Sequence, residues 1–248
     1  VIEIDHLSFR YPGTDRVALH DVSLNIADGE FVAVMGENGS GKSTLVRSLN
    51  GLLQPTEGSV AVDGWKTNDT SRLRSIREHT GVVFQNPHLQ ITSLTVEREL
   101  AFGLQNIGVE TEEMRVRVEA ELMASGLSDA RRRSPRNLSG GEQQRLALAA
   151  ILTMKPRHLI LDEATSLLSP SSRSALLEQV VEARRRRGMT LVLVTQFAGE
   201  ALRADRLVIL HHGRIALDGP PRKTLGACAS AGISGIPIPT GVRPGDAI

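Results

Sequence analysis

The chain reads as an α/β fold with a parallel core sheet and an inserted helical subdomain, on three observations. An apolar run, Phe31 to Met35, stops at the glycine-rich loop Gly36-Glu37-Asn38-Gly39-Ser40-Gly41-Lys42-Ser43, and a helix pattern follows at residues 42–50. A second apolar run, Leu159-Ile160-Leu161, ends in two carboxylates, Asp162 and Glu163. Between them, at about residues 87–156, the apolar period changes from strand to helix.

Val22, Leu24 and Ile26 alternate with polar residues, as in a half-buried strand, so residues 2–35 read as short strands. The unbroken run Phe31–Met35 predicts a strand buried on both faces. Val60-Ala61-Val62 before Asp63-Gly64 predicts a strand entering a turn, and Gly81–Phe84 a further buried strand. Leu100, Leu104 and Ile107, then Met114, Val118 and Leu122, then Leu148, Ile151 and Leu152 recur at helical spacing. His158–Leu161 and Leu191–Val194 read as buried strands around a helix at 171–187, a βαβ pattern that implies a parallel sheet. Val208–Leu210 and Arg214–Leu217 close the domain as short strands. From Gly226 onward Gly, Ala, Ser and Pro dominate without periodicity, and residues 226–248 read as a loose tail. The expected organisation is one domain over 1–225, with 1–86 and 157–225 as nucleotide-binding core and 87–156 as helical subdomain.

The 248 residues suffice for one large domain, and with 40% hydrophobic but only 3% aromatic residues its core must be aliphatic. Net charge is +1, which argues against a nucleic-acid partner for the chain as a whole. Arginine clusters at 131–133 and 184–187 read as solvated faces, with anionic lipid headgroups as the other reading. The single cysteine, Cys228, precludes an internal disulfide and fits a reducing compartment. No stretch approaches the ~20 apolar residues of a membrane span, and the N-terminus does not read as a signal peptide.

Gly36–Ser43 matches G-x-x-x-x-G-K-[ST], with Thr44 following. Glycines let backbone N–H groups converge on phosphate oxygens, and the helix N-terminus adds a dipole that favours an anion. Lys42 is expected to reach the β- and γ-phosphates of a nucleotide and Ser43 to ligate Mg²⁺. Asp162 is expected to hold Mg²⁺ directly or through water, and Glu163 to polarise the attacking water. Downstream, Ser139-Gly140-Gly141-Glu142 opens a predicted helix. Locally it is a capping box, but two first-turn glycines each cost about 1 kcal/mol against alanine. They make sense where something must approach the backbone closely.

Leu138-Ser139-Gly140-Gly141-Glu142 with Gln144-Arg145, taken with the phosphate loop, resembles the ATPase subunits of ABC transporters, from about the first residue to about Pro220. The resemblance implies ABC ATPase architecture: a P-loop NTPase core with a RecA-like parallel sheet, an antiparallel β subdomain and the helical insert. It implies that Ser139 and its glycines contact the γ-phosphate of ATP held by a second subunit, so that two chains complete each other's sites head to tail. It implies that Tyr11 stacks on adenine and that Gln85 touches Mg²⁺ and water and links to a membrane partner.

Phe84-Gln85-Asn86-Pro87, Leu94-Thr95-Val96-Glu97, Leu100-Ala101-Phe102-Gly103 and Asp162–Leu168 are similar to the A components (CbiO-like) of energy-coupling factor transporters. That implies a second, often non-identical, ATPase subunit and integral membrane subunits. It also implies a peripheral place on the cytoplasmic face of the membrane, and vitamins or transition-metal ions as cargo. Two departures stand out. Ser169 replaces the family's aspartate, and Gln196 replaces its switch histidine. Glutamine donates a hydrogen bond but carries neither proton nor positive charge, so slow hydrolysis at the chain's own site is expected. The other readings are an ATPase of another ABC transporter type, a soluble ABC ATPase of translation or DNA maintenance, and a nucleotide-binding regulatory subunit with weak hydrolysis.

Overall fold

The computed structural model describes residues 1–239. Five parallel strands carry the site. They are β3 (Phe31–Gly36), β6 (Thr80–Phe84), β7 (His158–Asp162), β8 (Thr190–Val194) and β9 (Arg206–His211), extended by antiparallel β10 (Arg214–Gly219). Their order is β10-β9-β3-β8-β7-β6. A second, antiparallel sheet has the order β2-β1-β4-β5, from β1 (Ile2–Arg10), β2 (Val17–Ile26), β4 (Glu57–Val62) and β5 (Trp65–Lys66).

Successive side chains of a strand point to opposite faces, and here both faces are covered. Val32 and Val34 of β3, with Ile160, Val192 and Val208, meet helix α1 (Lys42–Leu49) through Leu45, Val46 and Leu49, and this layer continues into Ile2, Ile4 and Leu24 of the second sheet. Phe31, Leu159, Leu161, Leu191 and Leu193 face the other way, onto α5 (Gly140–Thr153) and α6 (Pro170–Arg187) through Leu148, Leu152, Leu176, Leu177 and Val180. Residues buried on both sides explain why the parallel strands read as unbroken apolar runs.

Helices α3 (Val96–Asn106) and α4 (Thr111–Ser125) pack on α5 around a core of their own, with Val96, Leu100, Leu104, Val118, Leu122 and Leu146. Periodicity missed α2 (Leu73–His79), because only Ile76 of its seven residues is buried. The four-residue α7 (Ala198–Ala201) was also missed.

The loose-tail expectation for 226–248 is corrected where the structure describes it. Helix α8 (Pro221–Ser230) places Leu225 and Cys228 at 0% exposure against Ala33, Met35, Leu207 and Ile209, and Ile233 joins the same cluster. Beyond it Ser234 Oγ donates to Glu37 Oε1 at 2.5 Å. Small residues pack closely without a readable period, which is why composition pointed to a tail. Residues 240–248 of that expectation lie outside the described residues. Ile233→Ala should cost about 2–4 kcal/mol of unfolding free energy in urea titration, as for a filled core site. A loose tail would lose nothing.

Arg132, Arg133, Arg185, Arg186 and Arg187 of the arginine clusters are exposed, as solvated faces, while several members also tether neighbouring elements. Arg184 donates to the Gly29 carbonyl (Nε at 3.0 Å) and to Asp205, and Arg187 donates to the Leu152 carbonyl at 2.7 Å and to Glu121. Arg131 pairs with Glu97 and Glu119.

Asp63, after β4, accepts from the rings of His79 and His158 at 3.0 and 3.1 Å. Burial pushes its carboxyl up, but these hydrogen bonds, with one from the Val1 ammonium at 3.0 Å, outweigh burial and hold it well below the usual carboxylate range. A folded pKa below the unfolded one stabilises fully above the unfolded value, near 3.8, and that stabilisation is lost as pH falls further. Asp63→Asn should therefore lower the thermal midpoint at pH 7 and flatten its decline below about pH 4.

Candidate functional site

A cleft of about 990 Å³ opens where β3 and β7 end, lined by Tyr11, Arg16, Asn38, Gly39, Gly41, Lys42, Ser43, Thr44, Arg47, Gln85, Asp162 and Glu163 among others. Its floor is the loop from β3 into α1. Gly36 has φ +157°, and a Cβ there would lie 2.2 Å from the Leu210 carbonyl oxygen. Gly41, at φ +105°, would bring a Cβ within 2.6 Å of the Ala18 carbonyl oxygen. Both positions therefore need glycine. Gly41 precedes α1 without a side-chain cap, so the first N–H groups of that helix stay free for an anion.

Lys42 is 5% exposed, and its Nζ donates to the carbonyls of Gly36 and Glu37 at 2.9 and 3.0 Å. Nζ lies 3.8 Å from Glu163 Oε1. Burial pulls the ammonium below its ordinary value, while Glu163 and Asp162 pull it back up. Ser43 Oγ donates to Asp162 Oδ1 at 2.9 Å. Burial pushes the Asp162 carboxyl up, opposed by that hydrogen bond and by Arg47, whose Nε is 3.7 Å from Oδ2. The pair is a half-buried hydroxyl and a buried carboxylate, an oxygen-only donor set of the kind Mg²⁺ takes.

Glu163 sits at φ +52°, a conformation rare outside glycine. It is held there by its N–H to the Val194 carbonyl at 3.2 Å and by the Ser166 N–H and hydroxyl on its own carbonyl. Gln85 Nε2 donates to Ser166 Oγ at 3.1 Å, so the end of β6 reaches the segment that follows Glu163. The Tyr11 hydroxyl lies 3.0 Å from Thr44 Oγ1, and its ring packs edge-on against Phe9.

Three groups of expected site residues lie outside the cleft lining. Gly36, Glu37 and Ser40 serve the loop from behind: the Gly36 and Glu37 carbonyls take Lys42, and Ser40 is buried. Gln196 follows β8 on the same rim, two residues past Val194, the register partner of Asp162, and its side chain is exposed. Ser139–Glu142 stands apart. There the capping box is formed: Ser139 Oγ accepts from the Glu142 N–H, and Glu142 Oε2 accepts from the Ser139 N–H at 2.8 Å. The Ser139 backbone and hydroxyl hold the Glu142 carboxyl below its ordinary value. A Cβ on Gly140 would meet nothing within 4 Å, and its φ is not positive. Neither backbone conformation nor the chain's own packing requires that glycine.

Ser169 caps α6, accepting from the Ser172 N–H at 3.3 Å. It thus keeps the helix-starting role that an aspartate would share. Arg16 and Arg47 were not anticipated. Arg47 stands four residues after Ser43 on one helix, a spacing that places both on one face and could have exposed it.

The ABC transporter family model matches residues 19–166. The energy-coupling factor transporter ATP-binding protein EcfA1 of Clostridioides difficile (strain 630) is 40% identical over 242 residues, 96% of this chain and 87% of that protein. Its counterpart from Symbiobacterium thermophilum is 49% identical over 208 residues, 84% and 72% of the two chains. Among solved structures, cbiO1 from Clostridium perfringens, described as part of the ABC transporter complex cbiONQ, superposes with TM-score 0.82 at 32% identity, over 90% of this chain and 89% of that one. The dimeric ATP-binding cassette MJ0796, in a post-hydrolysis state with ADP and Pi, gives 0.81 at 31% identity, over 89% and 99%. With its phosphate loop, paired carboxylates and separate Ser139–Glu142 turn, the chain belongs to the ABC transporter family of ATPases, alongside the ATP-binding proteins of energy-coupling factor transporters.

Proposed function

We propose that this chain is the ATP-hydrolysing motor of an importer of the energy-coupling factor type, driving uptake of a vitamin or a transition-metal ion. It works head to tail with a second, non-identical ATPase subunit, on the cytoplasmic face of a membrane complex. One observation carries this reading. The cleft gathers most of the nucleotide-binding residues but not Ser139–Glu142, whose Gly140 is needed by nothing among the described residues.

In the proposed cycle the loop N–H groups and Lys42 hold the phosphates, and Tyr11 holds the base. Glu163 takes the proton of the attacking water as the water oxygen bonds to the γ-phosphorus and the bond to the ADP oxygen breaks. Mg²⁺ would be held by Ser43 and Asp162, with Gln85 nearby, and would neutralise phosphate charge. The Ser139 hydroxyl and the N-terminus of α5 would meet the γ-phosphate in the partner's site. Motion would leave through the Gln85 region, where Leu89 and Leu94, 82% and 74% exposed, offer apolar contact to membrane subunits.

Purification from membranes should bring down a second ABC ATPase and an integral membrane subunit, with phosphate released by the complex. Ribosomes or DNA as partners, or nucleotide retained without phosphate release in the full complex, would overturn this reading. Gln196 leaves the chain's own site without a protonatable side chain at the switch position, so that site is proposed to turn over slowly. Gln196→His should then raise phosphate release several-fold; an unchanged or lower rate removes the argument for impairment.

A further inference from the structure

The loop from Tyr11 to Arg16, between β1 and β2, presents two different chemistries to the cleft, and both of its ends line it. Tyr11 gives an aromatic ring and Arg16 a guanidinium. The loop is braced internally: the Thr14 N–H and hydroxyl donate to the Tyr11 carbonyl at 3.3 and 3.1 Å. Arg16 Nη2 donates to the Gly39 carbonyl at 3.2 Å, which lays the side chain across the middle of the phosphate loop. Gly39 has φ +79°, and a Cβ on it would stand 3.1 Å from Nη2, so the glycine admits the arginine.

A guanidinium carries five N–H donors, and the Gly39 carbonyl occupies one. Among the described residues Arg16 enters no ion pair, whereas Arg47 in the same cleft faces Asp162. An exposed cation with donors to spare, set against a phosphate loop, suits a phosphate oxygen. The Lys42 ammonium and Ser43 hydroxyl lie beside the two carboxylates, at the reacting end. Arg16 shares its loop with the base-stacking candidate instead.

We propose that Arg16 is a nucleotide-binding residue that clamps the phosphate chain at its base-proximal end, contacting the part common to ATP and ADP and not the γ-phosphate. This rests on the nucleotide-binding reading above. The clamp adds affinity without taking part in the bond-breaking step, because its charge lies away from the γ-phosphorus.

The test is calorimetric titration of ATP and of ADP into the full chain, wild type against Arg16→Met, which keeps the apolar stem and removes the charge. The expected result is a loss of about ten- to hundredfold in affinity for both nucleotides by a similar factor, the range of a charge-assisted hydrogen bond. The thermal midpoint of the exposed-site variant should not move, and Arg16→Lys should recover part of the affinity. In the assembled complex KM should rise with kcat unchanged. Affinities within twofold of wild type overturn the clamp, as does a loss confined to ATP, which would put Arg16 at the γ end. A wild-type chain that binds neither nucleotide overturns the nucleotide reading itself, and the clamp with it.

Discussion

Gly140→Asp should reduce phosphate release by the assembled transporter about 100- to 1,000-fold, the cost of losing a preorganised donor site at a developing charge. The carboxylate would stand at the first turn of α5, facing the γ-phosphate in the partner's site. Within the chain itself the change is mild: Gly140 has no positive φ, nothing lies within 4 Å of its Cβ position, and an acidic residue in the first turn suits a helix N-terminus. Nucleotide binding by the isolated chain, measured by calorimetry, and its thermal midpoint should therefore stay near wild type. Large loss of turnover with intact binding is the pattern a composite site requires. Equal loss of binding in the isolated chain would mean that the loop serves the chain's own pocket.

Lys42→Ala should weaken ATP binding to the isolated chain on the order of 100-fold. The ammonium is buried, it donates to two carbonyls of the loop, and its Nζ lies 3.8 Å from Glu163 Oε1. Removing it also leaves Asp162 and Glu163 less compensated, so two carboxylates would oppose the incoming phosphates. In the assembled complex the same change should cost less turnover than the equivalent change in the partner subunit, because the site with Gln196 is proposed to be the slow one. Greater loss from the change in this chain would refute that asymmetry.

The parts of the site that were legible are those whose chemistry is contiguous. Gly36–Ser43 could be read because a glycine-rich loop between an apolar strand and a helix is a contiguous pattern; the structure adds that Gly36 and Gly41 stand against the Leu210 and Ala18 carbonyls, a demand of the chain's own packing. Asp162-Glu163 could be read because an apolar run that halts at two acids marks the open end of a buried strand. Arg47 was overlooked although its spacing from Ser43 was available. Arg16 carries no local signature at all: it becomes notable only once the loop folds over Gly39. The same reason hid the fate of residues 226–239. Cys228 and Ile233 are too few to show a period, and only the surface of Met35 and Ile209 opposite them makes that segment core.

From the sequence by itself came the strand-loop-helix of the phosphate site, the apolar strands, the helical insert and the capped turn at Ser139, each a matter of residues within one turn or strand of one another. The tertiary structure alone decided what meets in the cleft. Ser43 and Asp162 touch across 119 residues because β8 inserts between β3 and β7 and the strand ends line up along one rim. That order is chosen by helices packing on both faces of the sheet, a balance of non-local burial against loop closure that no local pattern records. It also left Ser139–Glu142 outside the chain's own cleft, facing open space.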